Sequence, residues 1–178
     1  MRKIRKSKVF SVTEFEKMLD EYSKHVTILE GNLYEKSGWW GCFKIKKGKP
    51  YIFIEHNQPE ADKLAILVEE FKHFLTTVGV IINQTSTSNR KQELLARRLT
   101  YKEVIPVDEL IRCYNEGKYT EWEIAEELEV QPRFLRNALE YFQTQLYTGM
   151  IYHAASGDYR VTVGQTISFY RVPTAQAN

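Results

Sequence analysis

Apolar positions along this chain change period several times, and each change marks an element. Phe15, Met18, Leu19 and Tyr22 recur at helical spacing behind Ser11 and Glu14, a capping-box pair, and predict a short amphipathic helix to about Ser23. Residues 26–29 are apolar and partly β-branched, which favours a strand. Residues 33–55 are rich in aromatic and β-branched side chains and are broken at Lys47-Gly48-Lys49-Pro50, a pattern of strands around a hairpin with residues 51–54 as an interior strand. Asn57-Gln58-Pro59 then opens a helix over about residues 60–77, with Leu64, Leu67, Val68, Phe71 and Leu75 as its buried face and Gly79 as its stop.

After a polar loop at residues 83–88, a helix starts near Asn89, carries Leu94, Leu95, Arg98 and Leu99, and ends before Pro106. A short helix over residues 107–116 closes at Gly117. Thr120 and Glu123 form a second capping box for residues 121–128, and Gln131-Pro132 begins a helix through about Phe142. Residues 146–172 alternate around Gly149, Gly157 and Gly164 and read as two or three strands, followed by a loose tail at residues 174–178. The fold class is α+β: a small N-terminal β-layer, a helical bundle, and a short C-terminal β-hairpin or set of strands. The expected organisation is a domain over residues 1–145, including a helix-turn-helix-like segment at 107–143, and a β extension with tail over 146–178.

Composition narrows the picture. With 43% hydrophobic and 13% aromatic residues in 178, the chain has material for a core and is not of the disordered class. A net charge of +2 does not by itself argue for nucleic acid or membrane. Arg2, Lys3, Arg5, Lys6 and Lys8 crowd the amino terminus, but no apolar run follows, so neither a signal peptide nor a membrane anchor is expected. Cys42 and Cys113 are isolated and support neither a disulfide framework nor a cysteine metal site; the simplest compartment is the cytoplasm.

The candidate chemistry lies on the helix over residues 60–77. Glu69 and His73, four apart, share one helix face and can reach one metal ion. Glu70 stands between them, where the general base of an H-E-x-x-H site belongs. Hydrolytic zinc takes three protein ligands and leaves one position open, and Glu93 on the following helix is the natural third. Against this stands a plainer reading, because E-E-x-x-H also arises on solvated acidic helices.

The residues resemble the ImmA/IrrE-like zinc metallopeptidases, especially short forms from phages and mobile elements. The resemblance rests on Glu69-Glu70-Phe71-Lys72-His73, on Thr76-Thr77-Val78-Gly79, on Asn89-Arg90-Lys91-Gln92-Glu93 running into Leu94-Leu95-Ala96, and on Ile105-Pro106. It covers roughly residues 33–145. It implies a zincin-like domain in which Glu70 is the general base acting on metal-activated water, with Glu69, His73 and Glu93 as the ligand set. It also implies a regulatory protein as substrate, such as a helix-turn-helix repressor of a phage or mobile element. Two departures stand out: Glu69 replaces a histidine, and Lys72 stands where glycine is common. A dication held by two carboxylates and one imidazole is formally neutral, so it acidifies water less, and the harder ligands let manganese or iron compete with zinc. The alternative is a pseudo-peptidase without metal that binds its partner through the same groove.

Other signals weigh less. The pattern over residues 120–142 matches two helices joined by a tight turn, with Arg133, Arg136 and Asn137 on the second. The first, however, carries Glu121, Glu123, Glu126, Glu127 and Glu129, which repel a phosphate backbone, so DNA binding is the weakest alternative. Trp122, Tyr141 and Phe142 suggest an apolar docking surface. Trp39 and Trp40 are expected to cap the core of the β-layer rather than line a peptide groove. His56 is a secondary ligand candidate, more simply read as solvated; His25 and His153 have no evident partners.

Overall fold

Capping decides where the first helix begins. In the computed structural model, which describes residues 12–77 and 89–173, α1 (Glu14–Ser23) is capped by Thr13. Its hydroxyl accepts the Glu16 N–H while the Glu16 carboxylate accepts the Thr13 N–H. The expected Ser11–Glu14 box is therefore corrected: the same spacing recurs two residues on, and there both halves close. Ser11, the basic cluster at residues 2–8, Gly79, the polar loop at 83–88 and the tail at 174–178 lie outside the described residues.

A three-stranded sheet follows, formed by β1 (Thr27–Gly31), β2 (Gly41–Lys46) and β3 (Lys49–Glu55). Its order is β1-β3-β2, so β3 is central, parallel to β1 (Thr27 beside Tyr51) and antiparallel to β2 (Phe43 beside Ile52). Ile52 and Ile54 are fully buried, as the interior-strand pattern requires. The β2–β3 turn places Lys47 (φ 50°) and Gly48 (φ 75°) in the left-handed region, the two-residue turn whose twist matches that of the strands.

Between β1 and β2 the chain makes α2 (Tyr34–Ser37), a helical turn where the aromatic pattern had suggested strand. The reason lies in Glu55. Its buried carboxylate accepts the N–H groups of Leu33 (2.6 Å), Tyr34 (2.7 Å) and Asn57 (2.9 Å), and so satisfies the start of that turn. These backbone bonds hold the Glu55 carboxyl below its ordinary range.

The long helix α3 (Glu60–Thr77) lies across β2 and β3 and packs on α1 and on α4 (Asn89–Val104). Close approach to β2 depends on Gly41, where an added Cβ would meet Ile66 Cγ2 at 2.2 Å. Three shorter helices continue the bundle: α5 (Val107–Asn115), α6 (Glu121–Glu127) and α7 (Pro132–Gln143). The Thr120–Glu123 capping box is present, and Pro132 occupies the first turn of α7. A second sheet of β4 (Ile151–Ala154), β5 (Gly157–Val163) and β6 (Ile167–Arg171) is antiparallel in chain order. Its Tyr159, Val161 and Phe169 join Leu110, Ile111 and Leu135 in one continuous apolar core. The architecture is α+β.

Candidate metal centre

The packing of α3 against α4 creates the site. Glu69 and His73, one turn apart on α3, face Glu93 in the first half of α4, and each offers a ligand atom within 4.8 Å of the others. His73 Nε2 lies 3.7 Å from Glu93 Oε2. Ala96, wholly buried, follows Glu93 by a turn, and its small side chain suits the close pairing of the two helices. Burial raises the Glu69 pKa, with Arg97 and His73 acting in the opposite sense. With Glu69 part-buried and Glu93 exposed, two carboxylates and an imidazole make a donor set that fits a divalent cation.

Glu70 points to the other side of the helix face, toward the sheet. Its Oε2 accepts the backbone N–H of Phe43 at 2.6 Å. Because β2 is an edge strand and this amide is turned away from β3, Glu70 sits over the free edge of the sheet. Burial pushes its pKa up to about 7, helped by the charges of Glu69 and Glu93 and opposed by the Phe43 N–H. Glu69, Glu70, His73 and Glu93 share an open cleft of about 370 Å³ with Trp39, Cys42 and Phe43. A larger cleft of about 580 Å³ lies between α5–α7 and β6, lined by Leu110, Ile124, Leu139 and Phe169 among others, but it contains none of these groups.

Two features of the site had no signal in the hydrophobic pattern. Arg97, one turn beyond Glu93 on α4, brings its Nε to 3.8 Å from Glu69 Oε1. Lys72 is buried on α3 and donates to Glu103 of α4, which also accepts the Tyr22 hydroxyl; the Tyr22 ring stacks on Phe71 at 3.7 Å. The i, i+4 step from Glu93 to Arg97 was the available clue to the first. Nothing local could have paired Lys72 with Glu103.

Other expected residues fall elsewhere. His56 lies beside Glu55 (3.7 Å) and is not part of the cluster; His153 pairs with Asp158 at 2.8 Å, and His25 lies near the Phe71 ring. Trp39 and Trp40 do not cap a core: they are 52% and 45% exposed, Trp39 at the cleft and Trp40 stacked on Tyr34. Both lie in the connection between α2 and β2, outside the strand itself. The expected docking surface is also corrected, because Phe142 is buried while Trp122 stands 73% exposed. Arg136 is engaged by Glu121 at 2.8 Å.

An α+β domain with a helix-borne Glu–His–Glu cluster beside a sheet edge has the layout of a metal-dependent hydrolase. Residues 20–140 match the sequence profile of the peptidase M78 family, the IrrE N-terminal-like domain, and the chain belongs to that family. No curated protein and no solved structure matches the chain. No helix among the described residues is long and apolar enough to cross a membrane.

Proposed function

We propose that this protein is a metal-dependent endopeptidase with an atypical E-E-x-x-H centre, in which Glu69, His73 and Glu93 hold the ion and Glu70 is the general base. The observation that carries the reading is the convergence of those three ligand atoms within 4.8 Å in a cleft that also holds Glu70. A bound dication, zinc or a harder ion such as manganese or iron, supplies Lewis acidity to the scissile carbonyl and to the attacking water. Glu70 takes the proton of that water and passes it to the departing amine. The Phe43 N–H holds the Glu70 carboxylate at the cleft, where it can serve both transfers.

The free edge of β2 supports a polypeptide substrate. An extended segment can pair with the outward backbone groups of β2 that Glu70 leaves unoccupied, which brings a peptide bond toward the cleft. The family resemblance points to a regulatory protein as that substrate, such as a phage or mobile-element repressor acted on in the cytoplasm.

A second reading has its own observation. The Arg97–Glu69 contact at 3.8 Å neutralises a ligand carboxylate without metal, as a binding-only pseudo-peptidase would. Elemental analysis of protein purified without chelator, beside Glu93→Ala, separates the two. About one zinc or manganese per chain, lost in the variant, supports the peptidase. No metal in the wild type after zinc is added back favours the binder.

A further inference from the structure

We infer that Arg97 shares the Glu69 carboxylate with the ion, returning one positive charge to the centre and weakening its hold on metal. This rests on the metallopeptidase reading above and concerns a positioning residue, not a ligand.

The argument is one of charge and place. Glu69 and Glu93 contribute two negative charges, and a dication brings the sum to zero. A site of two imidazoles and one carboxylate would carry +1. Arg97 lies one turn beyond Glu93 on α4, and its Nε is 3.8 Å from Glu69 Oε1, so a guanidinium that cannot lose its proton restores the sum to +1. The Glu69 side chain is 29% exposed and that of Arg97 55%, so the contact is part-buried at the carboxylate and open to solvent at the guanidinium. Two cations then compete for one carboxylate. A guanidinium a few ångströms from a dication repels it, and solvent exposure screens that repulsion only in part. Arg97 also belongs to the helix that carries Glu93, so α4 delivers a ligand and a charge from one surface, at positions i and i+4.

The test is the zinc dissociation constant of the metal-free full chain, measured by competition with a chromophoric chelator. It compares wild type, Arg97→Met and Arg97→Lys, and repeats the Arg97→Met change in a Glu69→His background. Arg97→Met is expected to tighten zinc binding by about tenfold, on the scale of a partly screened charge interaction. Arg97→Lys, which keeps the charge, should stay within about threefold of wild type. With Glu69→His the carboxylate that draws Arg97 inward is gone, so Arg97→Met should change the constant by less than about threefold. Equal affinity in wild type and Arg97→Met, an Arg97→Lys protein that behaves like Arg97→Met, or the same tightening in both backgrounds would overturn the role of Arg97 while the metallopeptidase reading stands. Absence of zinc binding in both wild type and Arg97→Met would overturn the two together.

Discussion

The backbone N–H of Phe43 donates to the Glu70 carboxylate at 2.6 Å, so the residue between the two helix-borne ligand candidates is tied to the edge of the sheet. This bond aims Glu70 into the cleft and couples the position of β2 to the orientation of α3. Replacing Glu70 with Gln keeps an oxygen acceptor for Phe43 but removes the proton acceptor. Cleavage of a polypeptide substrate should fall roughly 100- to 10,000-fold, with metal content unchanged. Normal turnover by Glu70→Gln would dismiss Glu70 as the base.

The same carboxyl gives the metal-free protein a pH dependence. Its pKa of about 7 lies above the ordinary glutamate value, so between those two limits the folded state holds the proton more tightly than the unfolded chain. Stability therefore falls as pH rises from about 4.5 to about 7, by on the order of 3 kcal/mol from this group. Glu69, also raised by burial, acts in the same direction. Urea midpoints at pH 5 and pH 8 in chelator should differ less in Glu70→Gln than in wild type. Identical slopes would show that Glu70 is not the group responsible.

Gly41 is the contact point between β2 and α3. A methyl group there meets Ile66 Cγ2, so Gly41→Ala should cost about 1–3 kcal/mol in chemical denaturation. It should also displace the Phe43 amide from Glu70 and lower activity beyond the loss of folded protein. Full stability in Gly41→Ala would mean that α3 shifts freely on the sheet.

Lys72 and Glu103 join the two helices of the site through a part-buried ion pair. Glu103→Leu strands the ammonium and should destabilise by about 2 kcal/mol, reduced from the fully buried case because Glu103 is partly exposed. Adding Lys72→Met should recover part of that loss, because two apolar groups can replace the ion pair while the Tyr22 hydroxyl still lacks its acceptor. A double variant no more stable than Glu103→Leu would contradict this account.

The α6–α7 pair should not bind DNA. Arg136 of α7 is held by Glu121, and Glu127 of α6 takes up the neighbouring Arg112 and Lys118, so acidic groups of α6 dominate this face. Gel retardation with mixed-sequence duplex at low salt should show no shift. A salt-sensitive, sequence-selective complex would reopen the helix-turn-helix reading.

Much of the fold was legible because its signals are local. The capping box at Thr120 and Glu123, the apolar face from Leu64 to Phe71, and the interior strand at Ile52 and Ile54 each follow from spacing alone. Where two local signals competed, the sequence could not choose. Ser11–Glu14 and Thr13–Glu16 have the same spacing, and the closed bonds select the second. The tryptophans misled because aromatic residue type does not show where a strand begins: both lie in the connection before β2, and Trp39 borders the cleft.

By itself, the sequence determined the α+β class, the helices that carry Glu69, Glu70, His73 and Glu93, and the face that Glu69 and His73 share, because helical periodicity is a property of neighbouring residues. Only the tertiary structure decided how far Glu93 lies from them, that Phe43 reaches Glu70, that Glu103 receives Lys72, and that Arg97 stands beside Glu69. The last three contacts span 27, 31 and 28 residues of chain. They are set by how α3, α4 and β2 pack, and no local spacing encodes that packing.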